Sequence, residues 1–183
     1  MRRPPVPVFD LDGTLLDSDH ALAAPFVALG IPPERVSFGL RLDEACAREG
    51  ITVEDYLGAV DPAVVAEPFA GVPEMLGALP RWAVCSNKLG DYARQDLDRW
   101  GWEPEVALFA EELGGPKRLG PVLDVLELEA REVLFVGDSE HDRECAREAE
   151  ARFVLAGWNP RVTPEDGDIV LAEPAELLEL VLP

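Results

Sequence analysis

Polar side chains that could do chemistry follow several short apolar runs of this 183-residue chain. They come directly after the runs at 6–9, 82–85 and 133–136: Asp10, Asp12, Gly13, Ser86, Asn87, Lys88, Asp138 and Asp142. Lys117 lies in a Gly-Gly-Pro-Lys loop between the last two of these groups. If the runs are parallel strands of one open sheet, ligands bind beyond their carboxyl ends, so we expect these side chains to converge on one site.

Four of these side chains are the carboxylates of Asp10, Asp12, Asp138 and Asp142. Gathered around one point without a counter-ion, they would repel one another and some would take up protons. A divalent cation removes this repulsion, and a set of oxygen ligands without His or Cys favours Mg²⁺. The sequence therefore predicts a magnesium site formed by these four aspartates.

The remaining polar groups are suited to an anion. Ser86 offers a hydroxyl, Lys117 a cation, and the turns at Gly13 and Asn87 offer backbone N–H groups. Such donors, together with a metal ion, form a binding site for a phosphoryl group. Each motif alone has an ordinary interpretation as a turn, a helix cap or a surface lysine. Their joint occurrence, in order and next to the predicted strands, favours a functional site.

The apolar runs that precede these groups predict the strands of a parallel sheet. They are continuous rather than alternating, which is typical of strands buried on both faces. Six runs fit: 6–9, 82–85, 106–109, 133–136, 152–156 and 169–171. Helical patterns lie between or after them, at 92–100, 121–128, 140–150 and 173–182. This alternation predicts an α/β fold with an open parallel sheet.

One segment interrupts the alternation. Between Asp17 and Val72 we find no convincing strand, and helices are predicted over 20–29, 42–49 and 53–60, the last with Thr52 as its N-cap. We therefore expect a small helical cap over residues 17–72, inserted after the first strand. Residues 1–16 and 73–183 are then expected to form the α/β core.

The composition of the chain excludes several further classes of function. The formal charge is 16 − 36 = −20, which disfavours binding to nucleic acid or to an anionic membrane surface. Three cysteines without a CxxC pair indicate neither a disulfide framework nor a zinc site. No apolar run is long enough to cross a membrane and no signal peptide is visible, so we expect a cytoplasmic protein.

The motifs resemble those of a known family. Phe9-Asp10-Leu11-Asp12-Gly13-Thr14-Leu15, Cys85-Ser86-Asn87-Lys88, Lys117 and Gly137-Asp138-Ser139-Glu140-His141-Asp142 are similar to the four motifs of the haloacid dehalogenase superfamily. The resemblance spans about residues 6–160 and implies a Rossmann-like core with a C1-type cap. Pro68-Phe69-Ala70-Gly71-Val72 also resembles the phosphoglycolate-phosphatase-like branch.

The resemblance implies a role for each motif residue. Asp10 would be the nucleophile that forms an aspartyl-phosphate, and Asp12 the general acid and then the base. Mg²⁺ would be held by the Asp10 side chain, the Asp12 carbonyl and Asp138, while Asp142 would support the metal waters or Lys117. Ser86 and Lys117 would bind the phosphoryl oxygens. The implied reaction is hydrolysis of a small phosphorylated metabolite, with phosphoglycolate, sugar phosphates and nucleotides all open as substrates.

Several alternatives stand beside this interpretation. Asp12 disfavours a dehalogenase, and a cap without lysine disfavours a phosphonatase. A phosphomutase would need a cap residue that excludes water, for which His20 is the candidate. A phospho-accepting receiver domain also combines an aspartate cluster, Mg²⁺ and a lysine, but no helical insertion is expected there. The motifs are complete, so they give no support to a catalytically idle scaffold. His141 is interpreted as a surface residue. The sequence leaves open whether the protein is a monomer or a homodimer.

Overall fold

The protein is described by a computed structural model that covers residues 4–182. Its strands are β1 Val6–Phe9, β2 Leu16–Asp17, β3 Glu67–Pro68, β4 Ala83–Cys85, β5 Val106–Leu108, β6 Val133–Gly137, β7 Arg152–Ala156 and β8 Ile169–Leu171. Six of them form a parallel sheet in the order β5-β4-β1-β6-β7-β8. This confirms the predicted α/β fold and the six predicted strands.

The α-helices of the described residues are α1 Asp19–Ala28, α2 Leu42–Glu49, α3 Val53–Gly58, α4 Val72–Ala78, α5 Gly90–Trp100, α6 Ala110–Leu113, α7 Gly120–Leu126, α8 Glu140–Glu148 and α9 Leu177–Val181. Short 3₁₀ turns lie at Pro33–Arg35, Ala130–Glu132 and Pro174–Glu176. Each predicted helix is present within a few residues, and Thr52 caps α3 by accepting a hydrogen bond from the Asp55 N–H. Helices α4 and α6 were not predicted.

The sheet is buried on both faces, which explains its continuous apolar strands. In β6, Val133 and Phe135 belong to one hydrophobic cluster, whereas Leu134 and Val136 belong to the cluster on the opposite face. Successive side chains of a strand point to opposite faces, so a strand covered on both sides needs apolar residues at every position.

Strand β1 lies at the centre of the sheet, between β4 and β6. From β1 the chain continues through β4 and β5 on one side, and later through β6, β7 and β8 on the other. The strand order therefore changes direction at β1, which is the position where open α/β sheets bind their ligands. The carboxyl ends of β1, β4 and β6 are neighbours at this point.

The segment after β1 contains α1, α2 and α3, which pack on a hydrophobic cluster of their own around Phe26, Cys46 and Tyr56. The prediction that no strand lies between Asp17 and Val72 was wrong. Strand β3 pairs antiparallel with β2 at the base of the segment, with Leu16 opposite Pro68. Strands of two residues show no periodicity, and a proline disfavours a strand, so the sequence pattern missed them. The proposed boundaries of the cap stay a prediction.

Candidate active site

Three aspartates from two strand ends meet beneath the surface. Asp10 follows β1, Asp138 follows β6, and Asp142 lies in the first turn of α8. One carboxylate oxygen of each lies within 4.8 Å of the others, and all three residues are buried. The structure therefore brings together three of the four predicted carboxylates.

Lys117 reaches into this cluster from the loop before α7. Its Nζ lies 2.8 Å from Asp10 Oδ1 and 2.5 Å from Asp142 Oδ1. The other Asp142 oxygen accepts hydrogen bonds from the N–H groups of Asp138 and Ser139, at 3.1 and 3.0 Å, and from the Ser139 hydroxyl. Both Asp142 oxygens are thus occupied by protein donors, which suits a residue that holds Lys117 and the Gly137–Ser139 turn in place.

The fourth carboxylate, that of Asp12, has a different partner. Asp12 Oδ1 lies 2.7 Å from Lys88 Nζ, and the same ammonium lies 2.8 Å from Asp96 Oδ2 on α5. Burial alone would lower the pKa of Lys88, but the charges of Asp12 and Asp96 outweigh it and hold that pKa above its ordinary value. Lys88 is therefore a charged bridge between the loop after β1 and the helix after β4.

The other predicted residues lie nearby but differ in what they contact. Ser86 is buried and lines the same cavity as Asp10 and Asp12. The Gly13 N–H donates to Leu16 O at 2.8 Å, and the Asn87 side-chain amide donates to Gly39 O at 3.0 Å. Both groups are engaged within the protein, and their role in binding phosphate stays a prediction.

Gly13 has a second reason to be glycine. Its φ is +77°, a conformation that side chains disfavour, and a Cβ built there would lie 2.3 Å from Asp138 Oδ2. The loop after β1 therefore approaches Asp138 more closely than any other residue type allows.

The electrostatics of the cluster favour a cation. Burial, together with the negative charge of Asp142, raises the pKa of Asp10 to about 6 despite the opposing effect of Lys117. Burial and the charges of Asp142 and Asp10 raise the pKa of Asp138 to about 8. Two buried carboxylates thus resist ionisation, and the Lys117 ammonium, although 2.8 Å from Asp10 Oδ1, is not oriented to form a hydrogen bond with it. Oxygen ligands with this excess of negative charge fit a hard divalent cation.

Two further residues of this site were not predicted. Arg161 Nη2 lies 2.6 Å from Asp138 Oδ2, and its Nε lies 2.7 Å from Asp19 Oδ2. The Asn159 amide donates to Gly13 O at 2.8 Å and to Asp138 Oδ2 at 3.3 Å. Both residues follow the end of β7. Because ligands bind beyond the carboxyl ends of parallel strands, the predicted strand at 152–156 already pointed to them.

A loop of the inserted segment covers the site. This strap loop, residues 36–41, contacts the core through the bond from Asn87 to Gly39 and through Arg41, which donates to Ala110 O and Gly115 O at 3.2 and 2.9 Å. The Phe38 ring lies 4.9 Å from the Arg161 guanidinium carbon. Beneath the inserted segment is a cavity of about 240 Å³ that reaches Asp10, Asp12 and Ser86.

The two histidines lie outside this cavity. His20 is exposed, and its Nε2 lies 3.1 Å from Val65 O. His141 lines a separate cavity of about 90 Å³ beside Lys117 and Arg41. Neither ring therefore borders the space that contains Asp10.

Comparison with known proteins agrees with this geometry. Residues 8–156 match the family model described as haloacid dehalogenase-like hydrolase. The chain is 30% identical to a phosphoglycolate phosphatase of Xanthomonas campestris (98% of this chain, 97% of the relative). It is 27% identical to an N-acetylmuramic acid 6-phosphate phosphatase of Pseudomonas putida (95% and 94%). A hydrolase of the haloacid dehalogenase-like family from Streptococcus pneumoniae has the same fold, with a TM-score of 0.75 at 19% identity (96% and 97%).

Across residues 4–182, no helix has the length and apolar character needed to span a bilayer. The sheet order, the motif residues gathered at its centre and the family match over most of the chain agree with one another. This protein belongs to the haloacid dehalogenase-like hydrolases.

Proposed function

We propose that this hydrolase is a Mg²⁺-dependent phosphatase of small phosphomonoesters, with an aspartyl-phosphate formed on Asp10. The observation that carries the proposal is the position of Asp10, which is buried against Lys117 yet borders the cavity that also contains Asp12 and Ser86. The similarity to a phosphoglycolate phosphatase and to an N-acetylmuramic acid 6-phosphate phosphatase supports the same reaction class.

In the first step, Asp10 attacks phosphorus and the bond from phosphorus to the ester oxygen breaks. Ser86 donates a hydrogen bond to the phosphoryl oxygens and Lys117 compensates their charge. Asp12, which enters this step in its protonated form, gives its proton to the leaving oxygen, so the product is a neutral alcohol. Lys88 holds one Asp12 oxygen, and the other is available for this transfer.

In the second step, Asp12 takes a proton from a water molecule that attacks the phosphorus of the intermediate. The bond from phosphorus to Asp10 breaks, which releases inorganic phosphate and restores both aspartates. For the metal, we propose the Asp10 and Asp138 side chains and the Asp12 carbonyl as ligands, with Asp142 behind them. A bound Mg²⁺ would neutralise negative charge on the phosphoryl group.

The same geometry disfavours a mutase. A mutase must keep water from the intermediate, and His20, the candidate for this role, bonds to Val65 O and does not border the cavity.

We further propose that residues 17–72 act as the cap, since their strap loop covers the strand ends where Asp10 and Ser86 lie.

The test is a phosphatase screen over a metabolite panel, with Mg²⁺ and with EDTA, for the wild type and Asp10→Asn. We expect Asp10→Asn to lose at least about 10³-fold in kcat, because the nucleophile is removed. Asp98→Asn on the exposed face of α5 is the matched control and should retain full activity. Activity that survives Asp10→Asn, or that is indifferent to EDTA, contradicts the proposal.

A further inference from the structure

We propose that the substrate's leaving group is neutral and mainly apolar, so that the phosphomonoester of an uncharged alkyl or aromatic alcohol is preferred over a carboxylate-bearing one such as phosphoglycolate. The inference rests on the proposed function and concerns the wall of the cavity beyond Asp10. It departs from the substrate that the name of the Xanthomonas campestris relative would suggest.

The first observation is the composition of the wall that the inserted segment contributes. This side of the cavity is formed mainly by aliphatic and aromatic side chains, among them Leu22, Phe26, Leu40, Tyr56, Leu57 and Val60. The Tyr56 hydroxyl donates to Leu22 O at 3.0 Å, so its polar atom is already satisfied. Burying an apolar leaving group against such a wall is favourable. A charged leaving group would lose its hydration there without gaining a polar partner.

The second observation is the sign of the charges that line the cavity. Beyond Asp10 and Asp12, its carboxylates are Asp61 on the inserted segment and Asp96 on α5. Lys88 also lines it, but that ammonium already bridges Asp12 and Asp96. A substrate carboxylate would therefore meet like charges without an available lysine, and such contacts disfavour binding.

The third observation concerns the arginines of the inserted segment, Arg35, Arg41 and Arg48. None of them lines the cavity. Arg35 pairs with Glu49 at 2.8 Å, and Arg41 is held by Ala110 O and Gly115 O on the core. The segment therefore presents no cation to the leaving group.

Arg99 is the rival feature. It lies on α5, is exposed, and borders the cavity. If the leaving group were anionic, Arg99 would be its receptor, which gives the test a second arm.

The experiment measures kcat/KM with Mg²⁺ for 2-phosphoglycolate, isobutyl phosphate and benzyl phosphate. Isobutyl phosphate has the shape of phosphoglycolate with the carboxylate replaced by an isopropyl group, whose two methyl groups take the places of the carboxylate oxygens. We expect isobutyl phosphate to exceed phosphoglycolate at least about tenfold. Benzyl phosphate should be better still, since each buried methylene-sized group is worth about fourfold.

Variants locate the origin of the preference. Val64 borders the cavity at an exposed position, so Val64→Arg should fold and should shrink the ratio of isobutyl phosphate to phosphoglycolate about tenfold. Val125→Arg makes the same change at an exposed site on α7, outside the cavity, and should leave the ratio unchanged. Arg99→Gln should change the ratio less than about threefold, because exposed charges interact weakly.

Two results would overturn the inference. If phosphoglycolate is hydrolysed as well as or better than its isostere, and Arg99→Gln removes that activity, Arg99 is a carboxylate receptor and the leaving group is anionic. The proposed function survives that result, because hydrolysis would still depend on Asp10 and Mg²⁺. If none of the three esters, nor any compound of the metabolite panel, is hydrolysed, the proposed function fails and the inference fails with it.

Discussion

Replacing Lys88 by methionine should damage both stability and catalysis. The Lys88 ammonium lies within 2.8 Å of carboxylate oxygens on Asp12 and Asp96, and its side chain is only 12% exposed. Lys88→Met keeps the length of the side chain but leaves two largely buried carboxylates without their shared cation. Asp12 is then free to leave the position from which it would transfer a proton.

The structure sets the size of the effect. Removing one partner of a buried ion pair costs about 3–5 kcal/mol, because the remaining charge stays buried without compensation. This is a large part of the 5–15 kcal/mol that stabilises an ordinary domain. Misplacement of a catalytic group by about 1 Å costs on the order of 10²-fold in rate, so we expect a loss of that order in kcat.

The assay combines urea denaturation with steady-state kinetics on one phosphomonoester. Asp96→Asn is the matched control, because it removes a carboxylate from the same bridge but leaves the contact from Lys88 to Asp12. We expect this control to retain kcat within about threefold, since no catalytic group moves. If Lys88→Met unfolds within about 1 kcal/mol of the wild type and keeps its kcat, the bridge neither stabilises the fold nor positions Asp12.

The proposed metal site leads to two further predictions. The pKa values of Asp10 and Asp138, about 6 and about 8, lie above the value of 3.8 expected in the unfolded chain. Without metal, the folded protein therefore binds more protons than the unfolded chain, and stability present below about pH 4 is lost as the pH rises towards 8. Melting curves in EDTA should show this loss of stability. Mg²⁺ at 100 times its Kd should restore about 2.7 kcal/mol of the free energy of unfolding. A melting temperature in EDTA that rises with pH over this window contradicts the prediction. Gly13→Ala should cost stability and weaken Mg²⁺ binding, because its Cβ would collide with Asp138. Gly30→Ala is the control, since Gly30 has a similar φ of +86° with no atom within 4 Å; equal losses in the two variants would show that the close approach to Asp138 has no cost.

The convergence of Asp10, Ser86 and Asp138 was predictable because it depends on topology alone. Residues that follow neighbouring parallel strands lie together whatever their side chains do, and the apolar runs indicated those strands correctly. The same rule would have identified Asn159 and Arg161 after β7, had it been applied to that run as well.

Other features depend on how far a side chain extends and on the path of a loop. The periodicity of apolar residues in the sequence predicts neither. The bridge from Lys88 to Asp12 joins residues 76 positions apart. The strap loop at residues 36–41 has neither helical nor strand periodicity, and its place over the site follows from contacts such as that between Asn87 and Gly39. The cavity wall likewise emerges only when α1 and α3 are packed together.

The two lysines of this acidic chain show how it could separate the roles of two aspartates. Asp10 and Asp12 are only two residues apart. Two carboxylates at such a short distance can serve as nucleophile and acid only if their surroundings differ. Lys117 holds Asp10 together with Asp142, whereas Lys88 holds Asp12 together with Asp96. Each proposed catalytic aspartate thus has its own lysine and its own second carboxylate, one set inside the buried carboxylate cluster and one beside the cavity. This division gives two carboxylates of one short loop the different surroundings that the proposed mechanism requires.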